Sequence, residues 1–428
     1  MKITLLALGS RGDVQPAVAL GKGLAARGHA VRVLAGNNFH AFIAGHGLET
    51  IPAAVDMQAI MESDLGREWV ARGTNPLAQN RIMQELLDRH GWAMVEDVHR
   101  ACEGAELIVS SFTSDVYAAS IAEASGAAHV SALLQPSPLA TRHGPAALAP
   151  IVPGRDSVLN LLFGKLVIER TLWGWYEPLV NRLRTERLGL SAQNRRQGMD
   201  ALRRMPVVHG YSGHVSPRAP DWPTHYDVAG YWFLDEGGDY QPPEALRRFL
   251  DAGEPPVCLG FGSMSAGDPA ALTRLFVEAA AQSGRRAILL SGWSALGGVE
   301  LPESILRLDA VPHDWLYPRV AAVVTHGGAG TTGASLRAGR PTIVVPHMAD
   351  QIYWGRRVAE LGVGPAAILR PRLRADNLAA AIREATGDAG MRRRAEELGK
   401  RIREEDGVGR AVTLIERPVE AHAAERRR

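Results

Sequence analysis

Val320-Ala321-Ala322-Val323-Val324-Thr325 runs directly into His326-Gly327-Gly328-Ala329-Gly330-Thr331-Thr332-Gly333, and then into Ala334-Ser335-Leu336-Arg337. The first six residues read as a buried strand, the glycines as a tight turn and the last four as the start of a helix. Such a junction suits an anion. Glycines let the backbone approach closely, the first helical N–H groups lack intrahelical partners, and the helix dipole favours negative charge. Phosphate is the expected guest. The spacing Gly328-x-Gly330-x-x-Gly333, with Asp350 following Gly330 by 20 residues, also matches the dinucleotide fingerprint. Its position argues against an NAD-dependent dehydrogenase, because that fingerprint opens its fold and this strand lies well inside the second half. In Pro346-His347-Met348-Ala349-Asp350-Gln351 an acid and an amide stand side by side, a pairing suited to a hydroxylated ligand.

Strand, turn and helix signals recur on both sides of this stretch. Ile3–Leu8, Ala30–Leu34, Leu107–Ser111, Ala128–Leu133 and Pro206–His209 read as strands, with a helix over Val14–Arg27. Between Pro136 and Leu190 the pattern breaks into a proline-interrupted apolar stretch. Ser212–Pro256, rich in Pro, Gly, Trp and Asp, reads as the approach to a linker with the boundary at Gly237. The pattern then restarts at Val257–Gly260 and continues through Ala270–Ser283, Arg286–Leu290, Val320–Thr325, Pro341–Val345, Leu378–Ala385 and Met391–Glu405. The expectation is two doubly wound α/β domains, 1–236 and 237–428, facing a cleft, with the last helix packing back on the first domain.

Composition narrows the function classes. The chain has 428 residues, 46% apolar and 22% charged, enough for two cores. Its 48 basic and 46 acidic residues leave a net +2, which argues against a dedicated nucleic-acid binder. Of the 48 basic residues only Lys2, Lys22, Lys165 and Lys400 are lysine, a bias that reads as codon usage. Cys102 and Cys258, without CxxC spacing, suggest a reduced cytoplasmic protein without structural zinc. No signal peptide or membrane-spanning run is read, so no stable membrane anchor is expected.

The stretch from Val311-Pro312-His313-Asp314-Trp315-Leu316 through His326–Thr332 to Asp350-Gln351 resembles the donor-binding box of family 1 glycosyltransferases, inverting enzymes of the GT-B fold. Gly9-Ser10-Arg11-Gly12-Asp13-Val14-Gln15-Pro16 resembles the opening motif of one branch of that family. This branch holds the sterol glucosyltransferases and the bacterial glycosyltransferases of glycopeptides and other natural products. The resemblance implies that His326 and the amides of Gly328, Ala329, Gly330 and Thr331 hold the donor diphosphate. It implies that Asp350 and Gln351 hold the sugar hydroxyls, and that the backbone of Val311 reads the pyrimidine edge. Ser263, after the first strand of the second half, is a candidate phosphate donor or else a turn residue. Ala310 and Ala334 stand where the plant form of the box has a base-stacking tryptophan and a ribose-binding acid, which leaves UDP and dTDP donors equally open.

The same resemblance gives Asp13 the role of the base that deprotonates the acceptor hydroxyl; as a first-turn aspartate it also reads as a helix cap. Arg11 touches the phosphates or braces the loop. Asp115 is a candidate for polarising the acceptor, and Phe163, Trp173 and Tyr176, within the apolar stretch Pro136–Tyr176 that also carries Leu148, for lining its pocket; the alternative is ordinary core with a dimer contact. Without a DxD sequence, no metal or other cofactor is expected, the diphosphate charge falling to amides, helix dipole and His326. The expected function is transfer of a hexose, glucose first, from a UDP- or dTDP-sugar to a hydroxyl of a sterol, polyketide, flavonoid or lipid, by a monomer or homodimer. The alternatives are a sugar-nucleotide epimerase of the same fold and a non-catalytic nucleotide-sugar-binding protein.

Overall fold

In strand β1 (Lys2–Leu6), Ile3, Leu5 and Leu6 are all at most 3% exposed although they point to both faces, as in a parallel sheet covered on both sides. The computed structural model describes the chain except residues 74, 144–155, 263, 265–267, 293–295, 349 and 427–428, and the side chains of 418–426. Contacts divide it into two units, one of Met1–Met57, Asn80–Leu234 and Asp406–Arg428, the other of Gln58–Gln79 and Asp235–Glu405.

The first unit holds a seven-stranded sheet. Its members after β1 are β2 (Ala30–Gly36), β3 (Glu49–Ala53), β4 (Leu107–Ser110), β5 (Ala128–Leu133), β6 (Val207–His209) and β7 (Tyr226–Val228). The order is β3-β2-β1-β4-β5-β6-β7, and every pairing is parallel. Strand order reverses between β1 and β4, so the loops leaving their carboxyl ends diverge and open a crevice. The first loop carries Gly9–Asp13 and the second Ser111–Asp115.

The second unit holds β8 (Val257–Leu259), β9 (Ala287–Leu290), β10 (Ile305–Leu308), β11 (Ala322–Thr325) and β12 (Thr342–Val344) in the parallel order β10-β9-β8-β11-β12. Its reversal lies between β8 and β11, at Gly260–Gly262 and His326–Gly328. Both doubly wound sheets are as expected.

Two segments cross a boundary at residue 237: one within 58–79, which was not anticipated, and the last helix, which was expected to return to the first domain. The helix Asp64–Arg72 and the turn after it belong with the second unit: Gly73 lies so close to Met348 and His347 that a Cβ there would sit 2.7 Å from the Met348 Cβ. The helix Gly407–Arg426 belongs with the first unit. It packs against helix Arg11–Ala26 at Gly23, where a Cβ would lie 2.6 Å from a Val408 methyl, and Glu416 meets His29 Nε2 at 2.9 Å. Where the sequence from Pro136 to Leu190 suggests a break in regular structure, the described residues from Val158 onward are instead helical, with Val158–Phe163, Gly164–Ile168, Glu169–Arg182 and Leu183–Arg187 end to end. The second and fourth pieces are wide π turns, and Glu169 inside the run is buried, bonded to Arg203 and to the Ala140 amide. No helix among the described residues is long and apolar enough to cross a membrane.

Candidate active site

At the reversal of the second sheet, strand β11 delivers His326 to a turn that only glycine fits. Gly327 has φ +92°, and a Cβ there would lie 2.5 Å from a Val344 methyl. The helix that follows, Ala329–Arg337, is preceded by Gly328 and has no side-chain cap, so the first N–H groups have no partner within the helix. The His326 ring is 7% exposed and packed between Gly262 and Gly328; a Cβ on Gly328 would stand 2.5 Å from its Nε2. Its Nδ1 is buried without a hydrogen-bond partner. Burial, helped by His313, pushes the imidazole down to about 4. A neutral ring with an unanswered nitrogen beside an open helix start is an anion cradle, and a bound anion would draw a proton back onto it.

The loop after β12 is drawn together by Gln351. Its Oε1 accepts from the amides of His347 at 2.8 Å and Met348 at 3.2 Å, while its Nε2 faces the Met264 sulfur at 3.6 Å. The carboxylate of Asp350 accepts from Trp354 Nε1 at 2.9 Å. Gln351 is therefore largely engaged in shaping this loop, and Asp350 is anchored at its end. His347, to which no role was assigned above, is 1% exposed, donates from Nδ1 to the Val345 carbonyl and meets the Phe261 ring edge-on. The Val311 side chain belongs to the hydrophobic core with Cys258, Ile288 and Tyr317, so only its backbone is free to face a ligand. Ser263 lies outside the described residues, as does Leu148.

In the first unit, Asp13 closes a capping box. Its Oδ2 accepts from the Ser10 amide at 2.8 Å, while Ser10 Oγ accepts from the Gly12 amide. The protein around Asp13 raises its carboxyl to about 6, against the pull of the Ser10 amide and hydroxyl. Water still reaches the side chain, and this aspartate takes up a proton more readily than an ordinary one. Cap and proton acceptor are compatible, since a carboxylate has lone pairs for both. Arg11 donates from Nε to Gln15 Oε1 at 3.1 Å and lies 4.9 Å over the Phe42 ring, so it braces the helix start.

Asp115 begins the helix Asp115–Ser125 and is 7% exposed. Ser110 and Ser131 face each other in register on β4 and β5, and both hydroxyls donate to it, at 2.5 and 2.9 Å. Ser110 Oγ in turn lies 2.7 Å from His129 Nε2. Burial raises the Asp115 carboxyl to about 7, the two serines opposing it. None of these three partners was expected from the sequence; the one signal was a serine in each of two apolar strand runs, at the end of β4 and inside β5.

Among the described residues, Asp115 is the sole carboxylate on a cavity whose other walls include Phe112, Leu133, Leu172, Tyr176, Met205 and Tyr226. Counted out to its open mouth, the hollow has a volume of about 430 Å³. Tyr176 is on this wall, as expected of a pocket residue. Trp173 is not: it is a core residue, its ring pressed on Gly198 so closely that a Cβ there would lie 2.0 Å from it. Phe163 packs instead on the small cluster of Ile168, Leu172 and Trp175. The described residues contain no group of three or more His, Cys, Asp or Glu placed to hold a metal ion.

Residues 3–105 match the family model of the glycosyltransferase family 28 N-terminal domain, and residues 290–406 that of the erythromycin biosynthesis protein CIII-like C-terminal domain. Among curated relatives, the sterol 3-beta-glucosyltransferases of Emericella nidulans and of Cryptococcus neoformans var. neoformans serotype D are each 36% identical over 98% of this chain. The chain spans about 30% and 27% of the length of those relatives. Among solved structures, the glycotransferase of kitacinnamycin superposes with a TM-score of 0.70 at 20% identity, covering 98% of this chain and 99% of that one. The glycosyltransferase VinC, solved with dTDP, superposes with a TM-score of 0.65 at 20% identity over 98% of this chain and all of that one.

Proposed function

From the premise that this chain is a GT-B protein, homologous along nearly its whole length to sterol 3-beta-glucosyltransferases, we propose that it is an inverting, nucleotide-sugar-dependent glycosyltransferase. The observation that carries this reading is the buried, neutral His326 beside the uncapped helix start at Gly328. A nucleotide diphosphate sugar would place its diphosphate there, with Asp350 and Gln351 on the sugar hydroxyls. The donor is a UDP- or dTDP-hexose, glucose first on the strength of the relatives, and the acceptor a hydroxyl on a hydrophobic molecule such as a sterol. The comparisons give the epimerase alternative no support.

In the reaction Asp13 takes the proton of the acceptor hydroxyl as that oxygen attacks the anomeric carbon. The bond from that carbon to the diphosphate oxygen breaks on the opposite face, inverting the configuration, and its electron pair leaves with the diphosphate. Amides of Ala329, Gly330 and Thr331, the helix dipole and His326 meet the developing charge, so we propose that no metal is required. A carboxyl raised to about 6 is ionised at neutral pH yet basic enough to serve, which is the compromise general-base catalysis favours. The buried thiols Cys102 and Cys258 suit a cytoplasmic site of action.

The test is transfer from UDP-glucose and dTDP-glucose to a panel of sterol, macrolide, flavonoid and lipid acceptors, read by mass spectrometry. Nucleotide diphosphate binding to the wild type and to His326→Ala is measured in parallel. Transfer to at least one acceptor, with binding lost in His326→Ala, is the expected result. No transfer from either donor, with diphosphate binding unchanged in His326→Ala, overturns the reading.

A further inference from the structure

The helical run Val158–Ile168, continuing into Glu169–Arg182, has a face that the fold does not cover. Val158, Leu159, Leu162, Leu166 and Val167 are 50%, 58%, 47%, 64% and 44% exposed, and they supply five of the six exposed large apolar side chains found among the described residues. Their spacing repeats at three and four residues, so they form one stripe along the run. Lys165 and Arg170 are the other exposed residues between Val158 and Arg170. The one acid in that interval, Glu169, is buried and bonded to Arg203. Asp156, just before it, is paired with Arg142. The stripe is therefore aliphatic and basic with no free negative charge.

That composition is complementary to one kind of surface. Aliphatic side chains on an interfacial helix enter the acyl boundary, while lysine and arginine reach up to anionic headgroups. The inward side of the same run reaches the cavity: Leu172 lines it, and Gly164 packs on Ala140, next to the cavity residue Leu139. We infer that the stripe Val158–Val167 docks this protein reversibly on an anionic lipid bilayer, holding the wall of the cavity against the phase in which a hydrophobic acceptor is dissolved. The docking rests on the exposed stripe alone; only the role given to it rests on the proposed transferase reading. With five aliphatic side chains and two positive charges the attachment is weak and reversible, in contrast to a spanning helix.

Co-sedimentation with vesicles tests it without any glycosyl transfer. Full-length protein is mixed with vesicles of phosphatidylcholine alone or containing phosphatidylglycerol, at low and high salt. The wild type is expected to sediment with the anionic vesicles and to be released at least partly by salt. The double variant Leu162→Glu/Leu166→Glu is expected to bind at least tenfold more weakly with an unchanged thermal midpoint, and Leu77→Glu, an exposed leucine elsewhere, to bind like the wild type. Absence of binding to anionic vesicles overturns the inference, as does undiminished binding of the double variant. So does a wild type that is dimeric in solution, does not bind vesicles and becomes monomeric in the double variant, since the stripe would then be a contact between copies.

Discussion

Replacing Gly330 by alanine separates the stability of the helix start from its use as an anion site. Gly330 stands in the first turn of Ala329–Arg337, and a Cβ there would meet nothing within 4 Å beyond its own helix. Its φ is not in the left-handed region, so the methyl introduces no backbone strain. Alanine in place of a helical glycine gains about 0.5–1 kcal/mol, less at a helix end than in its middle. For a unit of this size that raises the thermal midpoint by about 1–4 °C. The open space is also where phosphate oxygens would approach the bare backbone. A methyl that displaces one charge-assisted hydrogen bond costs about 1.5–3 kcal/mol of binding, or about 10- to 150-fold in affinity for a nucleotide diphosphate. Thermal unfolding and titration calorimetry with UDP and dTDP read the two effects on one preparation. A higher midpoint with weaker binding is expected. A higher midpoint with the wild-type dissociation constant would refute the placement of the diphosphate over this turn, and a lower midpoint would refute the account of the helix start.

Gly327→Ala should do the opposite to stability, lowering it by about 2–4 kcal/mol in urea melts, because φ +92° and the Val344 methyl both oppose a side chain. For Asp13→Asn the expectation is a fall of about 10²–10⁴-fold in transfer with the fold intact, since an asparagine oxygen still accepts from the Ser10 amide. The wild-type rate at low substrate should climb as pH rises through about 6 and level off above it. The folded Asp115 keeps its proton up to about 7, against 3.8 in the unfolded chain, so the folded state binds more protons between those values. Stability from this group is therefore greatest below about 4 and falls by up to about 4 kcal/mol as pH rises to 7, a decline that urea melts of Asp115→Asn should not show. Transfer should survive EDTA within about twofold; loss restored by Mn²⁺ would contradict a diphosphate held by amides and His326 alone.

What the sequence discloses and what it hides follow from burial. The central strands β1, β4, β8 and β11 are buried on both faces and appear as unbroken apolar runs. The strands that escape notice, β3, β7 and β10, are sheet edges. β3 contains Pro52, β10 has Arg307 in its middle, and β7 is three residues long amid prolines and tryptophans. An edge strand needs no continuous apolar run, so its signal is weak. The turn at His326–Gly328 is legible because a strand, a glycine turn and a helix start are local. The serines and histidine around Asp115 are not, because strand register, not sequence distance, brings Ser131 to Ser110. Trp173 and Tyr176 lie three residues apart in one aromatic stretch and share one core cluster; Trp173 is pressed on Gly198, while Tyr176 also reaches the cavity wall.

The way the chain alternates between its two units has a practical consequence for engineering. Exchanging one half with that of a relative through a single junction at residue 235 would leave the helix Asp64–Arg72 beside a foreign Met348, and the helix Gly407–Arg426 against a foreign Gly23. A chimaera that respects the fold needs four crossovers, at 57/58, 79/80, 234/235 and 405/406, so that both excursions travel with the unit they pack on. Hybrids built that way should unfold like their parents, whereas single-junction hybrids should lose stability at Gly23 and Gly73 whatever their donor or acceptor.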